Sequence, residues 1–330
     1  MYPLRFQPLY RHYLWGGRRL ETVLGKQLGD GDHYAESWEI VDRGPDQSVV
    51  ENGPWAGRTL HDLIVEQPLE MLGAAADQRT CPLLFKFLDA QQPLSLQVHP
   101  NDDQAGRLTP PDRGKTEAWY VLHAEPGSVL YAGLKRGFDE PALRREIQRG
   151  TAELCLHRLQ PRPGDCIFIR AGVPHALGAG LVIAEIQQAS DTTYRLYDWN
   201  RVGPDGQPRP LHVDQALAVI DFEAGPPGIQ TLQPTSDPRR TRLVECDKFV
   251  WDRWQCADTV ELGGDGRFHI VAVTSGRLRV SGEPSGRPLC RGQTLWIPAA
   301  ASPVQFTAQE PSELLDAYLP AAGPKPLARR

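Results

Sequence analysis

The chain has 330 residues, room for one large domain or two ordinary ones, and 40% hydrophobic with 23% charged residues is the mixture of a core-forming globular protein, not a disordered one. A net charge of −5 with no long basic run argues against nucleic acid as a partner. No run of about 18 apolar residues exists to cross a membrane, and the start MYPLRFQPLYRHYLWGG lacks the apolar stretch and cleavage site of a signal peptide, so a cytoplasmic location is expected.

Gly and Pro, 31 and 30 residues, punctuate the chain into short segments of strand character. In chain order, Leu60, Leu63, Ile64 and Leu72 keep helical spacing within 58–72, with a break at Pro68, and predict a helical insertion over about 57–80. Strands follow at PLLFKFL (82–88), LSLQVH (94–99) and EAWYVLH (117–123). Pro141 opens the helix PALRREIQ; then come strands CIFIRA (166–171), LVIAEIQ (181–187) and TTYRLYDW (192–199), and a short amphipathic helix from Val213 to Ile220. The segment 222–240 is rich in Pro and Gly without periodicity, which divides the chain near residue 235 into domains 1–235 and 236–330. Beyond it, FHIVAV (268–273) and TLWIPA (294–299) open a second strand-rich block. Lines 268–282 and 290–299 echo lines 117–133 and 163–178, which suggests a repeated β unit whose second copy has lost its polar side chains.

The six cysteines are scattered without a C-x-x-C pair, so they read as buried apolar residues and not as a disulfide framework. Chemistry is suggested elsewhere. Alternation along LSLQVH puts Leu94, Leu96 and Val98 on one face and Ser95, Gln97 and His99 on the other. The same parity groups Lys115, Glu117 and Trp119, and Pro174 with flanking glycines holds His175 in a turn after an apolar strand. Two histidines, a carboxylate and an amide form a ligand set that zinc, iron and manganese all accept. His12, His33, His61, His123, His157, His212 and His269 have no partner at ligand spacing.

The spacing Gln97-x-His99, then Glu117, then AGVPH ending at His175 looks like that of a cupin. With LSLQVHPND, GKTEAWYVL, GVPHALGAG and TYRLYDW, and with YAESWEI (34–40) and PLLFKFLDA (82–90), the chain over about residues 2–220 resembles the type I mannose-6-phosphate isomerases in their short bacterial form. The resemblance implies a mainly β fold of two cupin-type jelly-roll barrels with a small helical subdomain, the second barrel degenerate and without metal ligands. It implies one zinc ion (Zn2+) held by Gln97, His99, Glu117 and His175, with Arg195 as the catalytic arginine, Ser95 and Lys115 beside the substrate, and an acidic residue best matched by Glu185. The helical insertion of the long eukaryotic forms is missing, so contacts made there do not carry over.

The implied activity is the aldose–ketose interconversion of mannose 6-phosphate and fructose 6-phosphate through an enediol. Arg195, Glu185 and Lys115 would be catalytic, and Ser95, Lys115 and Arg195 would bind substrate. Glu185 is the candidate general base, and Arg195 can hold either the enediolate oxygens or the phosphate. The partner expected is a small sugar phosphate, with neither nucleic acid nor membrane, and the protein is expected as a monomer or weak homo-oligomer. Two other readings stay open on the residues alone: an Fe(II) cupin oxygenase, for which two His and one Glu suffice, and a non-catalytic sugar-binding bicupin.

Overall fold

The computed structural model describes residues 1–203 and 206–321. Strands dominate, as the Gly- and Pro-punctuated text implies, and the chain forms two compact units. One comprises Leu9–Trp38 and Leu83–Gln230; the other comprises Met1–Pro8, Glu39–Pro82 and the chain from Thr231 onward. These units do not follow a single cut near residue 235, because residues 1–8 and 39–82 pack with the C-terminal strands.

The unit built around residues 83–230 contains a six-stranded sheet ordered Cys166–Ile169, Glu117–Ala124, Leu181–Gln188, Leu83–Ala90, Tyr34–Ile40 and Leu9–Gly17. A five-stranded sheet runs Leu156–Leu159, Leu130–Leu134, His175–Leu177, Leu96–Val98 and Tyr194–Tyr197. Leu88, Val121 and Ile183 of the first and Leu130, Ala132 and Leu177 of the second share one buried cluster, so the sheets pack face to face. The mainly β, cupin-type fold is as expected, with the sheets open along their edges and not closed into a barrel. The helix Val213–Val219 packs against the strand Tyr194–Tyr197, the last strand of the five-stranded sheet. Ala216 and Leu217 of that helix, with Leu143 of helix Glu140–Arg149, bury Leu96, Val98 and Leu196 on the outer face of the five-stranded sheet.

The other unit repeats the strand order. Thr294–Ile297, His269–Ser275, Ser312–Tyr318, Val250–Cys256, Arg240–Glu245 and Gln233–Pro234 form its six-stranded sheet, and its facing sheet has four strands. The echo in the sequence is thus an echo in topology: Glu117–Ala124 pairs with Cys166–Ile169 just as His269–Ser275 pairs with Thr294–Ile297. Its central cluster is built from Val260, Leu262, Val271, Leu278, Leu295, Phe306 and similar side chains, a solid apolar filling.

The predicted helical insertion belongs to this second unit. Thr59 and Asp62 form a reciprocal capping box that starts helix Leu60–Glu66, and Leu60, Leu63 and Ile64 bury one face. Pro68 starts a second helix, Pro68–Leu72, in the first turn where its missing N–H costs nothing. Gly73 ends it at φ 60°, and a Cβ there would lie 2.1 Å from the Gly266 carbonyl oxygen, so only glycine lets this chain approach so closely. Ala300 N–H donates to the Glu70 carbonyl at 2.9 Å and fixes the helices on the 294–304 segment.

Candidate active site

Inside the 83–230 unit, the inward face of the six-stranded sheet changes character along its length. Val121, Ile183 and Leu88 are apolar at one end; two residues further along their strands the inward positions are Trp119, Glu185 and Lys86. Register sets Glu185 opposite both Lys86 and Trp119, a row across three strands, and Gln187 opposite Glu117 in the next row. All of these are buried. Buried charges at such cost require partners or a function.

The facing sheet supplies the rest. His175 begins its strand directly after Gly172 and Pro174, and it pairs with Gln97 across the Leu96–Val98 strand. His99 follows that strand. The strand is shorter than LSLQVH suggests, and Leu94 joins the interior cluster while Leu96 and Val98 pack outward, so the common face read for the three leucine and valine positions fails at Leu94. A register shift after Arg195 similarly sends Tyr197 to the outer cluster while Thr193 and Arg195 stay on the cavity side.

The imidazoles of His99 and His175 lie 4.9 Å apart, centroid to centroid. His99 Nδ1 donates to the Thr192 carbonyl at 3.0 Å and His175 Nδ1 to the Val173 carbonyl at 2.8 Å. With those protons committed, the Nε2 lone pairs face inward, 3.5 and 3.3 Å from the two carboxylate oxygens of Glu117. Burial, with Lys115 nearby, holds His99 well below the usual histidine range. Burial also pushes His175 down to about 4, so both are neutral at pH 7. Among the described residues, His99, Glu117 and His175 form the group of three whose ligand atoms converge, all within 4.8 Å. Two lone pairs and a carboxylate turned on one another repel unless a cation lies among them; Lys115 Nζ, 3.0 Å from Glu117 Oε2, supplies positive charge from one side. Neutral imidazoles plus one carboxylate suit zinc, and the donor set fits a metal.

Gln97 Nε2 lies 3.3 Å from His175 Nε2, so its amide borders the group, and rotating the amide would present its oxygen instead. Lys115 Nζ is 3.0 Å from Glu117 Oε2 and 3.2 Å from His99 Nε2, on a side chain only 7% exposed. Trp119 sets its ring edge against His175 at 5.3 Å. Glu185 Oε1 lies 3.2 Å from Lys86 Nζ, and its other oxygen accepts from Trp119 Nε1 at 3.1 Å. Burial and then the Glu117 charge raise the Glu185 carboxyl, while Lys86 opposes them. Burial would lower the Lys86 ammonium, but Glu185, Glu36 and Glu117 outweigh it and lift it above its ordinary value. Arg195 Nε donates to Ser95 Oγ at 3.3 Å and its Nη1 to the Pro210 carbonyl at 2.9 Å. It is not paired with Glu185.

A cavity of ≈ 280 Å³ has Ser95, Gln97, Lys115, Glu185 and Arg195 in its wall, and its Gln97 and Lys115 border the His99–Glu117–His175 group. Lys86, Glu36, Trp38, Tyr13 and Arg209 also line it and were not singled out in the sequence. A lysine in the otherwise apolar run PLLFKFL and two glutamates in the wholly buried strand YAESWEI were the available signals.

A family model described as the phosphomannose isomerase type I catalytic domain matches residues 4–128. The chain is 33% identical over 301 residues to mannose-6-phosphate isomerase ManA of Bacillus subtilis (strain 168), covering 90% of this chain and 93% of that one. It is 38% identical over 284 residues to the probable mannose-6-phosphate isomerase GmuF of the same organism, covering 84% and 88%. A crystal structure of the mannose 6-phosphate isomerase from Bacillus subtilis superposes with a TM-score of 0.88 at 28% identity, over 96% of this chain and 99% of that one. Fold and site together define a two-cupin enzyme of the isomerase class. The chain belongs to the type I phosphomannose isomerase family. Among the described residues, no helix is long and apolar enough to cross a membrane.

Proposed function

We propose that this protein is a zinc-dependent aldose–ketose isomerase that interconverts mannose 6-phosphate and fructose 6-phosphate. The observation that carries the reading is the convergence of His99 Nε2, His175 Nε2 and the Glu117 carboxylate, bordered by Gln97 and Lys115, which line a cavity together with Arg195. The family relatives, named for this reaction, support it. His99, Glu117 and His175, with Gln97 alongside, would hold one zinc ion per chain; bound there, it would act as a Lewis acid on the sugar oxygens and stabilise the charge of the enediol.

The chain's own residues do the rest. Glu185 is the proton carrier between C1 and C2: it is buried, its carboxyl is raised toward the working range, and Trp119 Nε1 fixes its orientation. Lys115 and Arg195 draw the anionic substrate into a cavity whose chain as a whole is acidic, and Ser95 Oγ steadies the Arg195 fork and offers a hydroxyl to the sugar. Trp15, Leu88 and Leu177 add apolar side chains to the same wall.

An anaerobic coupled assay tests the proposal. Zinc-loaded protein should interconvert the two sugar phosphates without consuming oxygen. Turnover that requires iron and oxygen would instead establish the oxygenase, and binding without turnover the sugar-binding bicupin.

A further inference from the structure

Asp198 lies just past the strand Tyr194–Tyr197 and is 6% exposed. Two arginines converge on it. Arg209 makes a fork, Nε to Oδ2 at 2.8 Å and Nη2 to Oδ1 at 2.6 Å, and Arg201 Nη2 reaches Oδ1 at 2.6 Å. Arg201 Nη1 also donates to the Pro93 carbonyl at 2.7 Å, two residues before Ser95. Arg195 is close enough that Arg209 and Arg201 both press its guanidinium below its ordinary pKa, after burial, while Asp198 opposes them. The Pro210 carbonyl that Arg195 holds directly follows Arg209. Two guanidiniums therefore pair with one carboxylate, and Arg195 adds a third positive charge that Asp198 feels electrostatically, a local excess of 3 − 1 = +2.

The position of this excess is informative. Arg195 and Arg209 line the cavity, and the Arg209 side chain is 38% exposed, whereas Lys86, Lys115 and Glu185 are nearly sealed. The cluster is thus the open end of the same cavity. The buried end has Lys86 and Lys115 against Glu36, Glu117 and Glu185, 2 − 3 = −1, which one zinc ion would turn to +1, still below the excess at the arginine cluster. Asp191 also lines the wall and is exposed to solvent, where its charge is screened. A surplus of two positive charges, with one guanidinium fixed in place by a buried carboxylate, matches a phosphate monoester, which carries about −1.5 to −2 at pH 7.

We propose that Arg209, oriented by the Asp198 fork, is the residue that selects the phosphorylated end of the substrate. The fork engages Nε and Nη2, which turns the Nη1 edge outward from Asp198 for the ligand. Arg195 then serves the sugar end beside Ser95, and Arg201 holds Asp198 and the Pro93 backbone together. This deepens the proposed isomerase reading and rests on it for the identity of the sugar.

The test compares the zinc-loaded wild-type chain with Arg209→Gln, Arg209→Lys and Asp198→Asn. Loss of a charge-assisted contact predicts a KM for mannose 6-phosphate raised about 10- to 100-fold in Arg209→Gln with kcat within about threefold. Competitive inhibition by inorganic phosphate should weaken by the same factor, Arg209→Lys should fall between, and Asp198→Asn should raise KM with Arg209 still present. Binding of inorganic phosphate alone, measured by calorimetry, separates this proposal from the isomerase reading. Phosphate binding that depends on Arg209 in a protein that fails to isomerise would retain the subsite and overturn only the reaction. Normal isomerisation with KM and phosphate inhibition unchanged in Arg209→Gln would overturn the subsite.

Discussion

Trp119 Nε1 donates a 3.1 Å hydrogen bond to Glu185 Oε2 across adjacent strands, while the edge of the same indole rests on His175. One side chain therefore fixes both the proposed proton carrier and a proposed metal ligand. Trp119→Phe keeps the ring against His175 and removes the donor. A lost hydrogen bond to a buried carboxylate predicts kcat lower by about 10- to 100-fold with zinc content unchanged. Steady-state kinetics with metal analysis checks this, and an unaltered kcat would remove Glu185 from the reaction.

The metal group and the arginine are separable. His175→Ala should lose bound zinc and all measurable activity. Arg195→Ala should retain zinc yet lose most of its rate, because its contacts run to Ser95 and Pro210 and none to the histidines. Zinc content and turnover of the two variants, measured side by side, decide the assignment; near-full activity in Arg195→Ala contradicts it.

A second ionised cluster governs pH behaviour in the C-terminal unit. His269 is buried between Asp316 at 2.8 Å and Asp265 at 3.2 Å, with its ring tilted against Tyr318, centroids 4.8 Å apart. Burial alone would lower it, but the two carboxylates raise it from 6.5 to about 9. Arg267, paired with Asp265, is the other charge there. Since the folded value is the higher one, the stabilisation is complete below pH 6.5 and disappears as pH rises through about 9. The expected loss is of the order of 3 kcal/mol. Urea midpoints of the wild type should fall over that window, whereas His269→Asn should be weaker at pH 6.5 and nearly flat across it.

Stability away from the site depends on Arg5 and Glu283, whose side chains are 4% and 1% exposed and lie 3.3 Å apart. Asn52 Nδ2 and Ser285 Oγ also donate to Glu283, at 2.7 and 2.5 Å. Glu283→Ala strands a buried guanidinium and should cost about 3 kcal/mol of unfolding free energy. KM and kcat should stay as they are; a stable variant would mean that water replaces the carboxylate.

How much of this could be read in the sequence follows from how locally each feature is encoded. Gln97 and His99 declare themselves by alternation, and Glu117 by opening a strand; the helix at residue 60 declares itself by the spacing of Leu60, Leu63 and Ile64. Long-range facts are not encoded this way. Lys86 reads as one stray charge in an apolar strand until register places it opposite Glu185. Leu94 leaves its expected face because the backbone breaks its alternation at an irregularity that no residue type marks. The packing of residues 39–82 with the C-terminal strands depends on contacts between segments about 200 residues apart. Arg209 was overlooked for the same reason, since its meaning comes only from Asp198.

The most direct measurement is a zinc titration of chelated protein with continuous detection of fructose 6-phosphate formed from mannose 6-phosphate. Activity should be absent at the start, climb in proportion to added metal and stop at one equivalent per chain. Full activity before any addition, or none at saturation, would contradict the account.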